Sequence, residues 1–411
     1  MDLHLRALAP EDLDAALDAD AAAFSNPVSP ADREQVAATT DWSRMFGAFD
    51  GETLCGTAGA YVMELTVPGL EIVPTSGVTA VGVLPTHRRR GIVTELMRHQ
   101  LADVVERGEP LAVLTASEAT IYRRFGYGVA CVSRKVEITR HRAAAAGAER
   151  VAGVGPDVAL RMLSRDEAVG LAPAWFDAFR RGWPGQLSRP ETWWPVVFGE
   201  KDTWKGGGEQ FVVAADDRDG RPGGYATYRV KDVGESSDRR LEVREVVAAD
   251  PAVAAALWRY LLEVDLVTSI VAEIGVDDPL RWRLADFRAL RVVAEEDMLW
   301  ARIVDPAGAL AARRYEREAE LVVEVLDPFW PDAAGRYVVA GGAGGAEAER
   351  TTRAADLVLD VADLGSLYLG GVSAAALAVA GRIEERSPGA VEVADGFFGS
   401  GSTRPCCTTH F

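Results

Sequence analysis

The chain is poor in cysteine and histidine and has no long apolar run. Its 411 residues include four cysteines and five histidines. Such scattered cysteines exclude a disulfide framework, and histidines without ligand spacing argue against a catalytic metal. No apolar stretch could cross a bilayer, and the acidic start lacks the basic region of a signal peptide. We therefore expect a cytoplasmic protein with no metal and no membrane partner.

Positive charge is also scarce. Lys and Arg total 44 against 62 Asp and Glu, a formal net charge of −18. Such an acidic chain is not expected to bind nucleic acid. It would attract a cationic amine substrate, although the same charge also serves solubility. The length and an ordinary hydrophobic content of 48% predict a folded protein of more than one domain.

Against this acidic background, one basic turn lies between a strand pattern and a helix pattern. Residues 79–84 form a short β-rich run that Pro85 ends, and the turn RRRG at 88–91 follows. The next apolar side chains are spaced for one buried helix face: Val93, Leu96, Met97, Leu101, Val104 and Val105. A helix start offers unpaired N–H groups, and glycine lets the backbone approach a ligand closely. The turn predicts a phosphate-ester site; the alternative is a basic turn that merely ends the strand.

A second pattern follows this helix. Residues 111–115 predict a buried strand, Ser117 and Glu118 a helix start, and Tyr122 lies one turn further. A phenol, with a pKa near 10, can donate a proton, so Tyr122 is a candidate site residue. Tyr127 is the competing candidate, but its place in a turn after the helix favours packing in the core.

The last residues, RPCCTTHF, form a third signal because they finish on an aromatic side chain, Phe411. If its ring is anchored in a pocket, burial would raise the pKa of the α-carboxylate above its reference value near 3.5. The carboxylate would then be a usable base. The alternative is a frayed tail, the usual fate of termini.

Taken together, these segments resemble the enhanced intracellular survival (Eis) family of GNAT N-acetyltransferases. Four stretches carry the resemblance: VTAVGVLPTHRRRGIVTELM; TASEATIYRRFGYG; DDPLRWRLADFRAL with DMLWARIVD and AARRY; and the final CTTHF. In the GNAT signature R/Q-x-x-G-x-G/A the final small residue is replaced here by Val93.

The resemblance implies acetyl-CoA-dependent acetylation of aminoglycoside amines, at several positions, by direct transfer in a ternary complex. It places Tyr122 beside the coenzyme sulfur, where the phenol can donate to a departing thiolate whose basicity is near that of cysteine, about 8.5. It also makes the Phe411 carboxylate the general base. It also implies a homo-oligomer, in the family a hexamer, and a role in antibiotic resistance. The implied coenzyme-binding residues are Val81, Gly82, Val83, Arg89, Arg90, Gly91, Ile92, Val93, Thr94, Ser117 and Glu118. Arg88 is a further candidate for phosphate contact.

The amine site is less clearly marked. Asp20, Phe24, Trp42 and Glu64 precede the coenzyme motif and could bind ammonium through charge and cation–π contact, with core packing the default for the two aromatic residues. Two other functions stay open. One is acetylation of a protein lysine or a polyamine, and the other is a non-catalytic lipid carrier with a vestigial coenzyme site.

The expected fold class is α/β and α+β: tandem GNAT folds, the second degenerate, then a sterol-carrier-protein-like α+β domain. The expected boundaries are 1–145, 146–304 and 305–411. The first domain should contain a helical start and three strands, at 10–24, 45–50, 53–64 and 79–84. The third should contain strands at 321–325, 336–340 and 357–361 and helices at 363–369 and 374–383.

The second domain repeats the plan of the first without its basic turn. Its predicted strands lie at 211–215, 224–230, 241–247 and 269–274, with a helix at 251–264. The helix starts at Asp250 and Pro251, an ordinary N-cap followed by Pro at the first helical position. Asp250 would repel a pyrophosphate, and Pro251 removes a donor. We therefore expect this domain not to bind coenzyme A.

Overall fold

The structure is a computed structural model that describes residues 3–143, 158–199, 209–216, 222–233, 238–401 and 403–411. The expected domain boundary at 145 lies outside these residues. No helix in the described ranges is long and apolar enough to span a membrane. The same ranges hold no group of three His, Cys, Asp or Glu side chains that could bind a metal ion.

Seventeen strands and eleven α-helices follow one another along the described chain. The first part contains β1 (Leu3–Ala7), α1 (Leu13–Phe24), α2 (Pro30–Thr39), β2 (Phe46–Asp50), β3 (Thr53–Thr66), β4 (Ile72–Val83), α3 (Ile92–Glu106), β5 (Leu111–Leu114), α4 (Ala119–Tyr122) and β6 (Gly128–Thr139). The middle part contains β7 (Leu160–Leu163), α5 (Arg165–Arg181), α6 (Trp194–Val197), β8 (Gln210–Asp216), β9 (Pro222–Asp232), β10 (Arg239–Ala248), α7 (Pro251–Glu263), β11 (Ser269–Gly275) and β12 (Leu290–Ile303).

The last part has a shorter series of elements. They are α8 (Pro306–Ala312), β13 (Ala319–Leu326), β14 (Gly335–Gly342), β15 (Gly345–Arg350), β16 (Leu357–Asp360), α9 (Val361–Tyr368), α10 (Ala374–Val379), β17 (Ile383–Glu385) and α11 (Ala390–Phe398). The predicted strands and the first predicted helix of this part are present. The second predicted helix ends at Val379 instead of 383, where β17 begins.

By its contacts the chain divides into two compact units. The first unit comprises Met1–Cys131, Pro184–Pro190 and Asp297–Phe411, and the second comprises Val132–Trp183 and Glu191–Glu296. Neither unit is continuous in sequence. The short segment Pro184–Pro190 therefore belongs with the first unit although its sequence neighbours on both sides belong to the second.

The first unit contains two sheets. In the larger one the strands follow the order β1-β2-β3-β4-β5, and residues 297–303 of β12 pair with β5. Neighbours in this sheet are antiparallel except β4 and β5. The smaller sheet has the order β15-β14-β13-β16-β17, in which only β13 and β16 are parallel.

Helix α3 connects the parallel pair β4 and β5. Its buried side chains recur at helical spacing and include Ile92, Leu96, Met97, Leu101 and Val104. Of the predicted apolar face, Leu96, Met97, Leu101 and Val104 are buried and Val93 is partly buried, whereas Val105 is 44% exposed. Because a parallel connection must cross back over the sheet, α3 begins at the end of β4, next to the basic turn.

The second unit repeats this order of elements. Its sheet runs β7-β8-β9-β10-β11, with β10 and β11 parallel, and the part of β6 from Ser133 to Thr139 pairs with β11. Helix α7 connects the parallel pair, as α3 does in the first unit. It begins with the predicted cap: the Asp250 side chain accepts a hydrogen bond from Ala252 N at 2.7 Å, and Pro251 is the first helical residue.

Candidate active site

The basic turn before α3 has an unusual backbone. Arg89 has φ +62° and Gly91 has φ +84°, so two residues within three positions are in the left-handed region. An added Cβ at Gly91 would meet nothing within 4 Å, so the space in front of the turn is open. The first N–H groups of α3, at Ile92, Val93 and Thr94, have no partner within a helix of this geometry. The turn fits a pyrophosphate because main-chain donors and positive charge face open space.

Arg88 takes a different direction. Its Nη2 donates to the carbonyl oxygen of Ala23 at 2.6 Å, and its Nε donates to that of Val83 at 3.4 Å. Ala23 is the penultimate residue of α1, where helix carbonyls lack intrahelical partners. Arg88 therefore ties the end of α1 to the end of β4 and is not directed at a phosphate.

The neighbouring strand β4 carries Val81, Gly82 and Val83. Its pairing with β5 stops at Gly77, opposite Val113, although β4 itself continues to Val83. On the other edge the register with β3 shifts between Thr57 and Gly59, a β-bulge. Beyond Gly77 the edge of β4 that faces β5 has no strand beside it in the described ranges, so an extended ligand can pair there.

A side-chain contact stabilises the β4 side of this bulge. Ala80 has φ +50°, and its carbonyl oxygen accepts a hydrogen bond of 2.8 Å from the Thr57 hydroxyl. This contact holds the peptide in an orientation that a regular strand would not adopt. The next main-chain N–H, that of Val81, is therefore turned relative to the ladder.

Tyr122 ends α4 and is 6% exposed. Burial raises the pKa of its phenol above the ordinary value. Tyr122 therefore remains protonated at neutral pH and can donate. Tyr127 is 2% exposed and packs edge-on against Tyr122, with 6.2 Å between ring centroids, in the same core cluster. Ser117 and Glu118 are exposed.

The turn after Tyr122 is held from the distant end of the chain. Arg302 donates to the carbonyl oxygen of Phe125 at 2.7 Å and to the Asp327 carboxylate at 2.6 Å. Arg123 pairs with Asp363 at 2.6 Å. Sequence reasoning missed these contacts, although Arg302 lies within the DMLWARIVD stretch that carried part of the family resemblance.

The final residues are packed, not frayed. The Thr115 hydroxyl donates to the main-chain oxygen of Phe411 at 2.8 Å, and the Phe411 ring lies edge-on to Tyr61 with 6.5 Å between centroids. Thr409 is 1% exposed. The loop that begins at Thr115 leads directly into α4, which ends at Tyr122. The two candidate catalytic residues therefore lie at the two ends of one short segment. Thr115 and Tyr61 had no sequence signal of their own.

The four candidates for amine binding are in different surroundings. Asp20 and Phe24 face β4, because a Cβ at Gly82 would lie 3.8 Å from an Asp20 carboxylate oxygen and 3.6 Å from the Phe24 ring. Phe24 is 44% exposed, so core packing was the wrong default for it. Trp42 does pack on a core cluster. Glu64 lies in β3, where its main chain bonds Ser188.

Asp20 has an unusual electrostatic environment. Burial raises the pKa of its carboxyl to about 6. The described residues provide no hydrogen bond or ion pair that would offset the desolvation, so a cation placed beside it would restore the charged form.

Comparison with known proteins defines the class. Residues 4–130 match a family model described as an acetyltransferase (GNAT) domain, and residues 185–303 match a second with the same description. Residues 306–408 match a sterol carrier protein domain. The protein is a GNAT N-acetyltransferase with two GNAT domains and a sterol-carrier-like domain.

Relatives that match over most of their length identify the family within this class. An uncharacterized N-acetyltransferase of Streptomyces coelicolor is 40% identical over 355 residues, 85% of this chain and 84% of the relative. N-acetyltransferase Eis of Mycobacterium tuberculosis is 34% identical over 359 residues, 86% and 85% of the two chains. The crystal structure of Eis1 from Mycobacterium abscessus superposes with a TM-score of 0.85 at 35% identity, covering 99% of this chain and 100% of that one. The chain belongs to the Eis family of GNAT N-acetyltransferases, and GNAT acetyltransferases use acetyl-CoA.

Proposed function

We propose that this protein transfers acetyl groups from acetyl-CoA to primary amines of aminoglycosides, at several positions, by direct transfer within a ternary complex. The observation that carries the proposal is the hydrogen bond between Thr115 and the main-chain oxygen of Phe411. In a chain that ends at Phe411, this oxygen belongs to a carboxylate. It is bound by Thr115, at the start of the loop that leads into α4 and Tyr122.

The coenzyme is held along β4 and at the start of α3. The exposed edge of β4 at Val81–Val83 pairs with the pantetheine arm, and the main chain from Arg89 to Thr94 wraps the pyrophosphate. Ser117 and Glu118 lie on the thiol side. When bound, acetyl-CoA supplies the activated acetyl group. Support comes from the left-handed backbone at Arg89 and Gly91 and from the open space before Gly91.

Three groups of the chain perform the chemistry. A main-chain N–H of Val81 or Val83 polarises the thioester carbonyl. Tyr122, kept protonated by burial, donates to the leaving sulfur. The Phe411 carboxylate accepts a proton from the incoming ammonium, which frees the amine to attack, or from the tetrahedral intermediate, directly or through water. Because both substrates are bound together, no covalent enzyme intermediate is needed.

The amine class follows from charge. The net charge of −18 attracts polycations, and Asp20 offers a carboxylate beside β4 that no described residue pairs. The proposal includes the three expected domains, 1–145, 146–304 and 305–411, and a homohexameric assembly, which light scattering on the purified protein would test.

Thiol release from acetyl-CoA tests the proposal, with kanamycin, a polyamine and a lysine peptide compared side by side. Three proteins are needed: the native chain, one ending at His410, and one with a glycine added after Phe411. The added glycine keeps the ring but displaces the carboxylate. We expect kanamycin-dependent release from the native chain alone, with acetyl-CoA affinity by calorimetry unchanged in all three, since the phosphate turn is untouched.

Other outcomes separate the alternatives. A higher kcat/KM for the polyamine or the lysine peptide would replace the aminoglycoside as substrate. Equal turnover of the glycine-extended protein would remove Phe411 from the reaction. Absence of release with every amine would favour a non-catalytic lipid-binding scaffold.

A further inference from the structure

The segment Pro184–Pro190 is inserted between β3 and the final residues of the chain. On one side it forms an antiparallel bridge with β3, Leu65 opposite Leu187. Three main-chain hydrogen bonds flank the bridge: Thr66 N to Gln186 O at 2.9 Å, Gly185 N to Thr66 O at 2.8 Å, and Ser188 N to Glu64 O at 2.8 Å. The segment is thereby fixed to the strand that carries Tyr61.

On its other side the segment binds the tail. Cys406 N donates to the carbonyl oxygen of Pro184 at 3.0 Å. The Gln186 amide donates to Cys406 Sγ at 3.3 Å, and its oxygen accepts from the Thr408 hydroxyl at 2.9 Å and the Thr408 N–H at 3.4 Å. Arg189 donates to Thr409 Oγ1 at 3.2 Å and to the Thr408 carbonyl oxygen at 3.3 Å. Cys406, Thr408 and Thr409 of the tail are therefore all bonded to this segment.

These contacts are built into the interior. Gln186 is fully buried and Thr409 is 1% exposed. Gly185 has φ +91°, and an added Cβ there would lie 2.8 Å from Cys406 O and 2.9 Å from Cys131 Sγ. Only glycine therefore lets the tail approach this closely. A buried amide that satisfies both its donor and its acceptor on the tail specifies one register for it.

We propose that Gln186 and Arg189 are positioning residues for the Phe411 carboxylate. They act through Thr408 and Thr409 and fix how far the chain reaches towards Thr115. The inference rests on the proposed function, in which Phe411 is the base. Nothing in the sequence points to this role, because the two residues lie in the middle of the chain, between helices of the second unit.

The physical reason is that few residues separate the atoms bound by Gln186 and Arg189 from the proposed base, the Phe411 carboxylate. Phe411 is only two residues beyond Thr409, the last tail residue that Arg189 binds, and an extended residue spans about 3.3 Å. Without the hydrogen bonds from Gln186 and Arg189, the tail can slide or swing relative to Thr115. A proton acceptor displaced by about 1 Å can lose a hundredfold in rate.

Two variants test the proposal from opposite sides of the same contact. Gln186→Leu keeps the size of the side chain and removes both hydrogen-bonding groups, and Thr408→Val removes the hydroxyl that donates to it. Each should lower kcat by about tenfold or more, with the affinity for acetyl-CoA within twofold of the native value. Gln210→Leu, at a half-buried glutamine bonded to Val197 and Arg229 in the second unit, is the matched control.

A double-mutant cycle distinguishes positioning from a general structural effect. In a chain ending at His410 the base is already absent, so Gln186→Leu should cause no further loss of rate. The same fold-loss in both backgrounds would overturn the positioning role, as would native kcat in Gln186→Leu. Full activity of the chain ending at His410 would instead refute Phe411 as the base, and the positioning role with it.

Release of Phe411 by carboxypeptidase A reports on the tail without turnover. We expect release to be at least tenfold faster from Gln186→Leu and from Arg189→Met than from the native chain. Gln210→Leu should match the native rate. Equal release from all four proteins would show that the segment does not hold the tail, and would overturn the inference even if every variant were inactive.

Discussion

Asp20 is a carboxyl that the fold partly buries and to which the described residues provide no partner. Burial raises its pKa to about 6, against an ordinary value near 3.9 in an unfolded chain. Because the folded-state pKa is the higher one, the folded state is favoured when Asp20 is neutral. That advantage is complete below about pH 4 and is lost as the pH rises through about 6.

Replacing this carboxyl should stabilise the protein in a pH-dependent way. We expect Asp20→Asn to raise the free energy of unfolding by about 1–2 kcal/mol at pH 8, allowing for partial exposure, and by almost nothing at pH 4. Urea unfolding at the two pH values measures the difference. Asp18→Asn, at an exposed acid on the same helix, is the control and should give no pH-dependent gain. An equal gain at both pH values for Asp20→Asn would contradict the prediction.

Tyr122 and Tyr127 are both buried in one core cluster, but only Tyr122 is proposed to act in the reaction. Tyr122→Phe should lower kcat by about a hundredfold while acetyl-CoA binding changes little, because only proton donation to sulfur is lost. Tyr127→Phe removes a hydroxyl from the core next door and should leave kcat within about twofold. Steady-state rates and calorimetric titration of both variants check this pair. Similar kcat losses in the two would mean that packing, not proton donation, explains the effect.

At the scale of elements, the turn before α3 depends on one glycine. Gly91→Ala adds a methyl group where φ is +84° and the space is open, so it should strain the backbone by about 1 kcal/mol without a clash. The methyl group would intrude on the space assigned to pyrophosphate. We expect acetyl-CoA affinity by calorimetry to fall about tenfold or more.

Gly108 provides the matched control. It follows α3, has φ +69°, and an added Cβ would also meet nothing within 4 Å. Gly108→Ala should therefore carry the same strain and leave acetyl-CoA affinity unchanged. If both variants lost affinity equally, strain within α3 would be responsible and Gly91 would have no specific part in the site.

Sequence patterns predicted the elements that interactions between neighbouring residues determine. The strand before the turn, the turn itself, α3 and the α7 cap at Asp250 and Pro251 could be read from propensity and spacing. The full length of β4 could not, since Pro74 and Gly77 are unfavourable within a strand, yet the parallel and antiparallel partners on each side support it from Ile72.

The site was predicted in part for the same reason. The motif residues of the site lie close together in the sequence, so their grouping in space follows from the order of the local elements. The direction of Arg88 towards Ala23, and the contact of Thr115 with Phe411, join residues 65 and 296 positions apart. Gln186 meets Thr408 across 222 positions. Such contacts depend on the complete tertiary arrangement, and no local pattern encodes them.

At the scale of the whole molecule, the two GNAT domains should not be equivalent. The second has an aspartate cap and a proline where the first has an arginine turn with left-handed residues. We expect one acetyl-CoA bound per chain, because Asp250 repels a pyrophosphate and Pro251 lacks a donor. Calorimetry with active-site-titrated protein gives the number directly. Two coenzymes per chain would contradict the prediction.

The first unit is assembled from three separate stretches of the chain, and the last of them begins only at Asp297. During synthesis, therefore, β5 cannot pair with β12 until most of the polypeptide has been made. A ribosome adds about 5–20 residues each second, so this interval is on the order of tens of seconds. Throughout that time the edge of β5 lacks the strand that later covers it. Until then β5 has an uncovered strand edge open to aggregation and proteolysis, and we expect a chaperone that shields nascent chains to raise the yield of folded protein.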